Sequence, residues 1–144
     1  ERVLFADDHL LARVSPNPLI ELGPAGEADK FRALVSYFAS IRKVRALPLE
    51  WILPGHGAPF RGHEEVIDSL LAFYEKRQGR LLAALAGGAK TPYELVTALF
   101  GGARTLALYL MLSEVVGNLE VLEDAGRVRR VPDEVPYRYA SAEG

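Results

Sequence analysis

At 144 residues, 49% apolar and 25% charged, the chain is long enough for one modest globular domain or two small ones, and it is neither disordered nor fibrous in composition. A net charge of -2 and a pI near 6.0 exclude an overall electrostatic attraction to nucleic acid or anionic lipid; such binding would need a local patch. The absence of cysteine excludes disulfides, thiolate metal sites and a cysteine nucleophile, and no apolar run reaches the ~18 residues that cross a bilayer.

The chain opens on a strand pattern, Val3, Leu4, Phe5 and Ala6, that runs into Asp7, Asp8 and His9 and so ends in a carboxylate. After the loop Ser15, Pro16, Asn17 and Pro18, the segment from Asp29 to Leu47 sets Phe31, Leu34, Phe38, Ile41 and Val44 at helical spacing. Asp29 suits the first turn of that helix, Arg42, Lys43 and Arg45 suit the negative end of its dipole, and Pro48 stops it. Next comes a short apolar run, Glu50, Trp51, Ile52 and Leu53, which reads as a buried strand closed by Pro54. Glycines then flank His56 on both sides and permit backbone angles that other residues avoid, presenting one imidazole on a tight turn. Strand, helix and strand form a crossover that returns a parallel strand to the same sheet, so Asp8 and His56 leave from one edge although 48 positions separate them.

From His63 onward, Val66, Ile67, Leu70, Leu71, Tyr74, Leu81, Leu82 and Leu85 trace one long helix, with Glu64 and Glu65 in its first turn and Gly79 as the point where it can bend. Gly87 and Gly88 end it. Thr91, Pro92 and Glu94 form a capping box that opens a short helix, stopped after Phe100 by Gly101 and Gly102. A longer helix from about Arg104 ends at Asp124 with Gly126 as its C-cap, and Arg127 to Val131 and Pro136 to Ala140 read as two strands joined across Pro132, Asp133 and Glu134. Three helices followed by a hairpin is the winged-helix layout.

Together, the stretches FADDHLL and LPGHG with a helix between them resemble the C-terminal half of the metallo-β-lactamase superfamily, in the branch that carries a winged-helix tail. The family's usual first motif reads GDHLL. The resemblance matches Asp8 to the aspartate that bridges two metal ions and His56 to the last histidine ligand of the second metal, both as metal ligands. Asp7 departs from the pattern, since glycine is general there, and adds a carboxylate beside the bridging position. The family's H-x-H-x-D-H signature appears nowhere in the chain, and no Met precedes Glu1, so the sequence reads as a piece of a longer protein.

The resemblance implies an α/β fold: the second half of an αββα metallo-β-lactamase sandwich over residues 1-78, followed by a small three-helix winged-helix domain over 79-144. It implies a hydrolase with two zinc ions ~3.5–4 Å apart, or other divalent metals, cleaving an ester, thioester, lactam or phosphodiester through a metal-bound hydroxide. Because a zinc site takes three or four protein ligands per metal, two residues cannot build one, and the segment alone is expected to be inactive. The expected partners are a small-molecule or RNA substrate, the missing N-terminal half of the same domain and a second copy in a homodimer. No membrane partner is expected, and the expected location is the cytoplasm.

The competing class is an interaction module, a winged-helix tail that binds nucleic acid or protein with its metal motif decayed. Against DNA binding, the segment between Ala103 and Ala125 holds Glu114, Glu120, Glu123 and Asp124 against only Arg104, although Arg127, Arg129, Arg130 and Arg138 give the hairpin some positive charge. Simpler structural roles suit the other polar residues. His9 reads as a packed or hydrogen-bonded side chain, His63 as the opening of a surface helix, Trp51 as core packing, and Arg77 and Arg80 as a solvated helix face with local Glu partners.

Overall fold

A computed structural model of the chain describes residues 2–16, 18–20, 31–101, 106–132 and 135–142. Asn17, Asp29, Gly102, Arg104, Asp133 and Glu134 lie outside the described residues. The described elements are β1 (Val3–Asp7), α1 (Ala33–Arg45), β2 (Trp51–Pro54), α2 (His63–Leu85), α3 (Pro92–Phe100), α4 (Leu106–Asp124), β3 (Val128–Arg130) and β4 (Tyr139–Ser141). They fall into two compact units, one of residues 1–16 and 36–74, the other of 17–35 and 75–144.

In the first unit β1 and β2 pair in parallel, Val3 with Trp51, Leu4 with Ile52 and Phe5 with Leu53, as the crossover argument requires. Alternation sends Leu4, Ala6 and Ile52 toward the interior, and Ala6, Leu10, Tyr37, Phe38, Ile41, Ile52, Ile67, Leu70 and Tyr74 are buried there. Phe38 meets Tyr74 edge to face at 5.1 Å, and the Tyr74 hydroxyl donates to the Pro16 carbonyl. Arg45 grips Asp68 with both Nε (2.6 Å) and Nη2 (2.8 Å), joining the last turn of α1 to α2.

Two expectations for this unit fail. β2 is only partly buried: Ile52 is buried and Leu53 and Pro54 are half-buried, while Trp51 is 38% exposed and packs under the Arg61 guanidinium at 4.2 Å instead of in the core. Trp51 shares its sheet face with its partner Val3 and with Phe5, which are exposed as well. His63 opens α2 but is 3% exposed: its neighbours Arg61, Gly62, Glu64 and Glu65 are exposed, while its own side chain is buried, as Ile67 one turn on is.

The second unit is built on α3, α4 and the hairpin. Leu81, Leu85, Leu95, Val96, Val115, Leu119, Leu122, Val128 and Tyr139 form one buried cluster. Thr91 and Glu94 close a reciprocal capping box, with the Thr91 side chain accepting from Glu94 N and the Glu94 carboxylate accepting from Thr91 N at 2.7 Å. Gly101 ends α3 in the left-handed conformation (φ 76°). Past α4, Arg127 N donates to Leu122 O (2.8 Å) and Gly126 N to Glu123 O (3.0 Å), the paired bonds of a Schellman cap. β3 and β4 are antiparallel, and Lys90 exchanges two main-chain bonds with Tyr139 on the other edge of β4, a one-residue bridge beside the hairpin.

Helix α1 starts at Ala33, so Phe31 precedes it rather than joining its apolar stripe, and Phe31 is exposed. Arg32, beside it, is drawn to the end of α4, where it pairs with Glu123 and Asp124 at 3.3 Å each and donates to the Glu120 carbonyl. Helix α2 continues through Gly79 without a break. The second strand begins at Tyr139, three residues later than the pattern from Pro136 indicated. Arg77 is not on a solvated face: it is largely buried, ion-paired with Glu114 and stacked over Phe100 at 4.7 Å. Arg80 is exposed and donates to the Leu99 carbonyl at 2.8 Å rather than to a Glu. Glu120 is buried, and Glu114 and Glu123 are ion-paired, so the carboxylates of α4 do not present the open acidic face read from the sequence.

Candidate functional site

At the ends of β1 and β2 two turns meet in the first unit. The first is closed by His9 N donating to Ala6 O at 2.9 Å. Register along the strands slips at this point, since Phe5 faces Leu53 but Asp7 faces Pro54, which leaves Ala6 as an extra residue on β1. Such a bulge re-aims the side chains that follow it. Asp7 takes up the change with φ 47°, a left-handed conformation in which glycine is at ease and Asp is among the few side chains tolerated. A glycine at this position in the resembled motif therefore has a conformational reason.

The second turn leaves β2 at Pro54 and returns at Phe60, where Ile52 and Phe60 exchange main-chain bonds of 2.9 and 3.0 Å that close the loop holding His56. Its two glycines serve different needs. Gly57 sits at φ 90°, where a side chain is strained. Gly55 needs space instead: a Cβ there would overlap the Asp7 carboxylate and stand 2.9 Å from Asp8 Oδ1. The turns are fastened together by Gly55 N donating to Asp7 O at 2.9 Å.

One residue beyond each end of that fastening stand the two predicted ligands. Asp8 Oδ1 and His56 Nδ1 are 3.6 Å apart, with side chains 64% and 74% exposed. That separation is too long for a hydrogen bond, so the two donors stand side by side, each open to solvent. A carboxylate oxygen and an imidazole nitrogen are the donor types a divalent metal of the zinc class takes, so the pair fits a metal in chemistry while supplying only two of the ligands it needs. Among the described residues no group of three or more His, Asp or Glu is arranged to hold a metal ion.

His9 follows Asp8 and is both packed and hydrogen-bonded, as read from the sequence. Its ring stands edge-on to Tyr37 at 5.2 Å, its Nε2 lies 3.2 Å from Ser40 Oγ, and its carbonyl accepts from the Tyr37 hydroxyl at 3.0 Å. Burial pushes the Tyr37 phenol up to about 12, so it stays protonated and able to donate. Sequence reasoning gave Tyr37 and Ser40 no part here; their i, i+3 spacing on a helix that shares a crossover with β1 was the available signal.

The chain is homologous to proteins of the metallo-β-lactamase superfamily and has a mixed α/β fold resembling theirs. It is 30% identical over 120 residues to the "Probable metallo-hydrolase YqjP" of Bacillus subtilis (strain 168), a stretch that takes in 83% of this chain and 37% of that protein. Among solved structures, it superposes on a metallo-beta-lactamase family protein from Thermus thermophilus with a TM-score of 0.76 and 31% identity, covering 98% of this chain and 42% of that one. A beta-lactamase domain protein from Burkholderia ambifaria gives a TM-score of 0.77 at 27% identity, covering 96% and 40%. The chain thus spans well under half the length of each of these relatives. No protein-family profile matches it. None of the described helices is long and apolar enough to cross a membrane.

Proposed function

We propose that the chain is the C-terminal portion of a metal-dependent hydrolase in which Asp8 and His56 are metal ligands, Asp8 as the bridge between two zinc ions and His56 as a terminal ligand of the second. The observation that carries this reading is the 3.6 Å approach of Asp8 Oδ1 to His56 Nδ1 on two turns fastened by Gly55 and Asp7. When bound, the metal supplies a Lewis acid and lowers the pKa of its water to ~7, giving a nucleophile at neutral pH. This chain's own part is to hold an anionic carboxylate and a neutral imidazole, both solvent-accessible, within reach of one ion.

The remaining ligands are assigned to a segment of a longer protein outside these residues, and the chain by itself to an inactive state. The substrate class consistent with this centre is an ester, thioester, lactam or phosphodiester. Helices α3 and α4 with the β3–β4 hairpin form the winged-helix element of this reading, which serves in wall-building or dimerisation rather than DNA binding. No Lys or Arg occurs anywhere along α4, where a recognition helix would need them.

The test is a protein containing this segment together with the residues that precede it in a longer relative. Metal-dependent hydrolysis is expected there, with a loss of several orders of magnitude in Asp8→Ala and in His56→Ala and none of comparable size in Arg129→Ala. For the 144-residue chain, zinc calorimetry should find no tight, stoichiometric uptake. Full hydrolysis by either ligand variant would overturn the assignment.

A further inference from the structure

Asp8 itself makes few demands on the fold, yet the residue after it is held on every side. His9 gives its N–H to Ala6 O at 2.9 Å, takes the Tyr37 hydroxyl on its carbonyl at 3.0 Å, sets its Nε2 3.2 Å from Ser40 Oγ and lays its ring edge-on to the Tyr37 ring at 5.2 Å. The residue before Asp8 is held too, by Gly55 N on the Asp7 carbonyl. A side chain between two fastened neighbours keeps only its own two torsions, so its carboxylate is confined to a small volume over the His56 turn. Tyr37 and Ser40 lie one helical turn apart and so face the same way from α1. Nothing in their burial requires a polar group at both positions; Phe and Ala would fill similar space.

We propose that Tyr37 and Ser40 are positioning residues for the metal site, acting through His9 to fix where the Asp8 carboxylate stands relative to His56. The inference rests on the ligand roles given under Proposed function. Its chemistry is that of an outer partner to a metal ligand: the cation meets a carboxylate already in place and does not bear the cost of ordering it. Loss of a group bonded directly to a metal ligand typically weakens metal binding by about 10–100-fold, and Tyr37 and Ser40, which act at one remove through His9, are expected at the low end of that range.

The experiment uses the 144-residue chain and Zn2+ as the only addition, followed by NMR at the His56 ring and at the Asp8 carboxylate carbon. In the unaltered chain the two signals are expected to move together with one weak midpoint. In Tyr37→Phe and in Ser40→Ala that midpoint should rise by about 10-fold, with amide spectra outside residues 6–10 and 53–57 unchanged, and Ser40→Thr should restore it by returning a hydroxyl. Variants that melt earlier but keep the wild-type midpoint while folded would show a role in stability alone and overturn the proposal. If Zn2+ moves His56 and Asp8 identically in all four proteins, positioning is likewise refuted although the ligand assignment stands. If it moves neither signal in the unaltered chain, the two donors are not set for a common ion by these residues and this inference is overturned, while the ligand assignment, whose other ligands lie outside the chain, stands or falls by the hydrolysis of Asp8→Ala and His56→Ala in the longer protein.

Discussion

In the second unit, apolar side chains from α2, α3, α4 and both hairpin strands close on one another, whereas in the first unit a parallel strand pair leaves Val3, Phe5 and Trp51 exposed by 37%, 81% and 38% on one face. The polar residues differ in the same way. Thr91, Glu94, Arg77 and Glu114 are all engaged in caps or pairs, while Asp8 and His56 point into solvent. A region whose sequence is accounted for by its own packing offers little to chemistry. A region that carries open polar donors and an open apolar sheet face has residues that packing does not explain, and such residues are where function is sought.

The contrast is broken most forcefully in the second unit. Leu119→Ala, at a fully buried position, should cost about 2–5 kcal/mol in urea unfolding; a loss under about 1 kcal/mol would show that the cluster collapses around the void and is less tightly packed than it looks. In the first unit, Gly55→Ala should cost about 1–3 kcal/mol by forcing the Asp7 and Asp8 carboxylates aside, with chemical shifts changing at both turns. Thr91→Ala should cost about 1 kcal/mol through the lost cap.

The pH dependence of that cap sharpens the comparison further. Its bonds from the Thr91 backbone N–H and then the Thr91 hydroxyl hold the Glu94 carboxyl below its ordinary value of 4.5. A lowered folded pKa means the cap's contribution is complete above about pH 4.5 and fades as pH falls through the folded value. The melting temperature should therefore decline on that side, and less so in Glu94→Gln. The smallest effect is expected at Asp7→Gly. Relief of a left-handed side chain gains ~1–2 kcal/mol and the flexibility of glycine gives back ~0.5–1, a net gain of about 0.5 kcal/mol; a measured loss would mean that the Asp7 carboxylate contributes to the turn.

Much of this architecture was legible in the residues. Thr91, Pro92 and Glu94 announced a helix start because capping is local chemistry, and Gly101 and Gly126 announced helix ends because left-handed caps favour glycine. The parallel return of β2 beside β1 followed from handedness and connection length. What stayed hidden depends on tertiary neighbours. An apolar strand reads the same whether or not its second face is covered, so Trp51 was misplaced. Arg77 looked like a surface charge because its partner Glu114 is distant in sequence, and His63 looked exposed because its neighbours Glu64 and Glu65 are, while nothing local reports which side of the first turn faces inward. At the candidate site the two donors were readable and the bulge that aims Asp8 was not, since the slip at Ala6 arises from strand pairing rather than from residue type.

The bond from Gly55 N to the Asp7 carbonyl has a thermodynamic corollary. Closing a loop of this length costs roughly 3–4 kcal/mol of chain entropy, which only the paired strands repay. Any solute that engages both donors therefore binds the zipped form alone and must, by linkage, lower the population of the opened strand pair. Hydrogen exchange at the amides of Gly55 and of the β1–β2 ladder would then report occupancy of the pair directly, with no turnover needed.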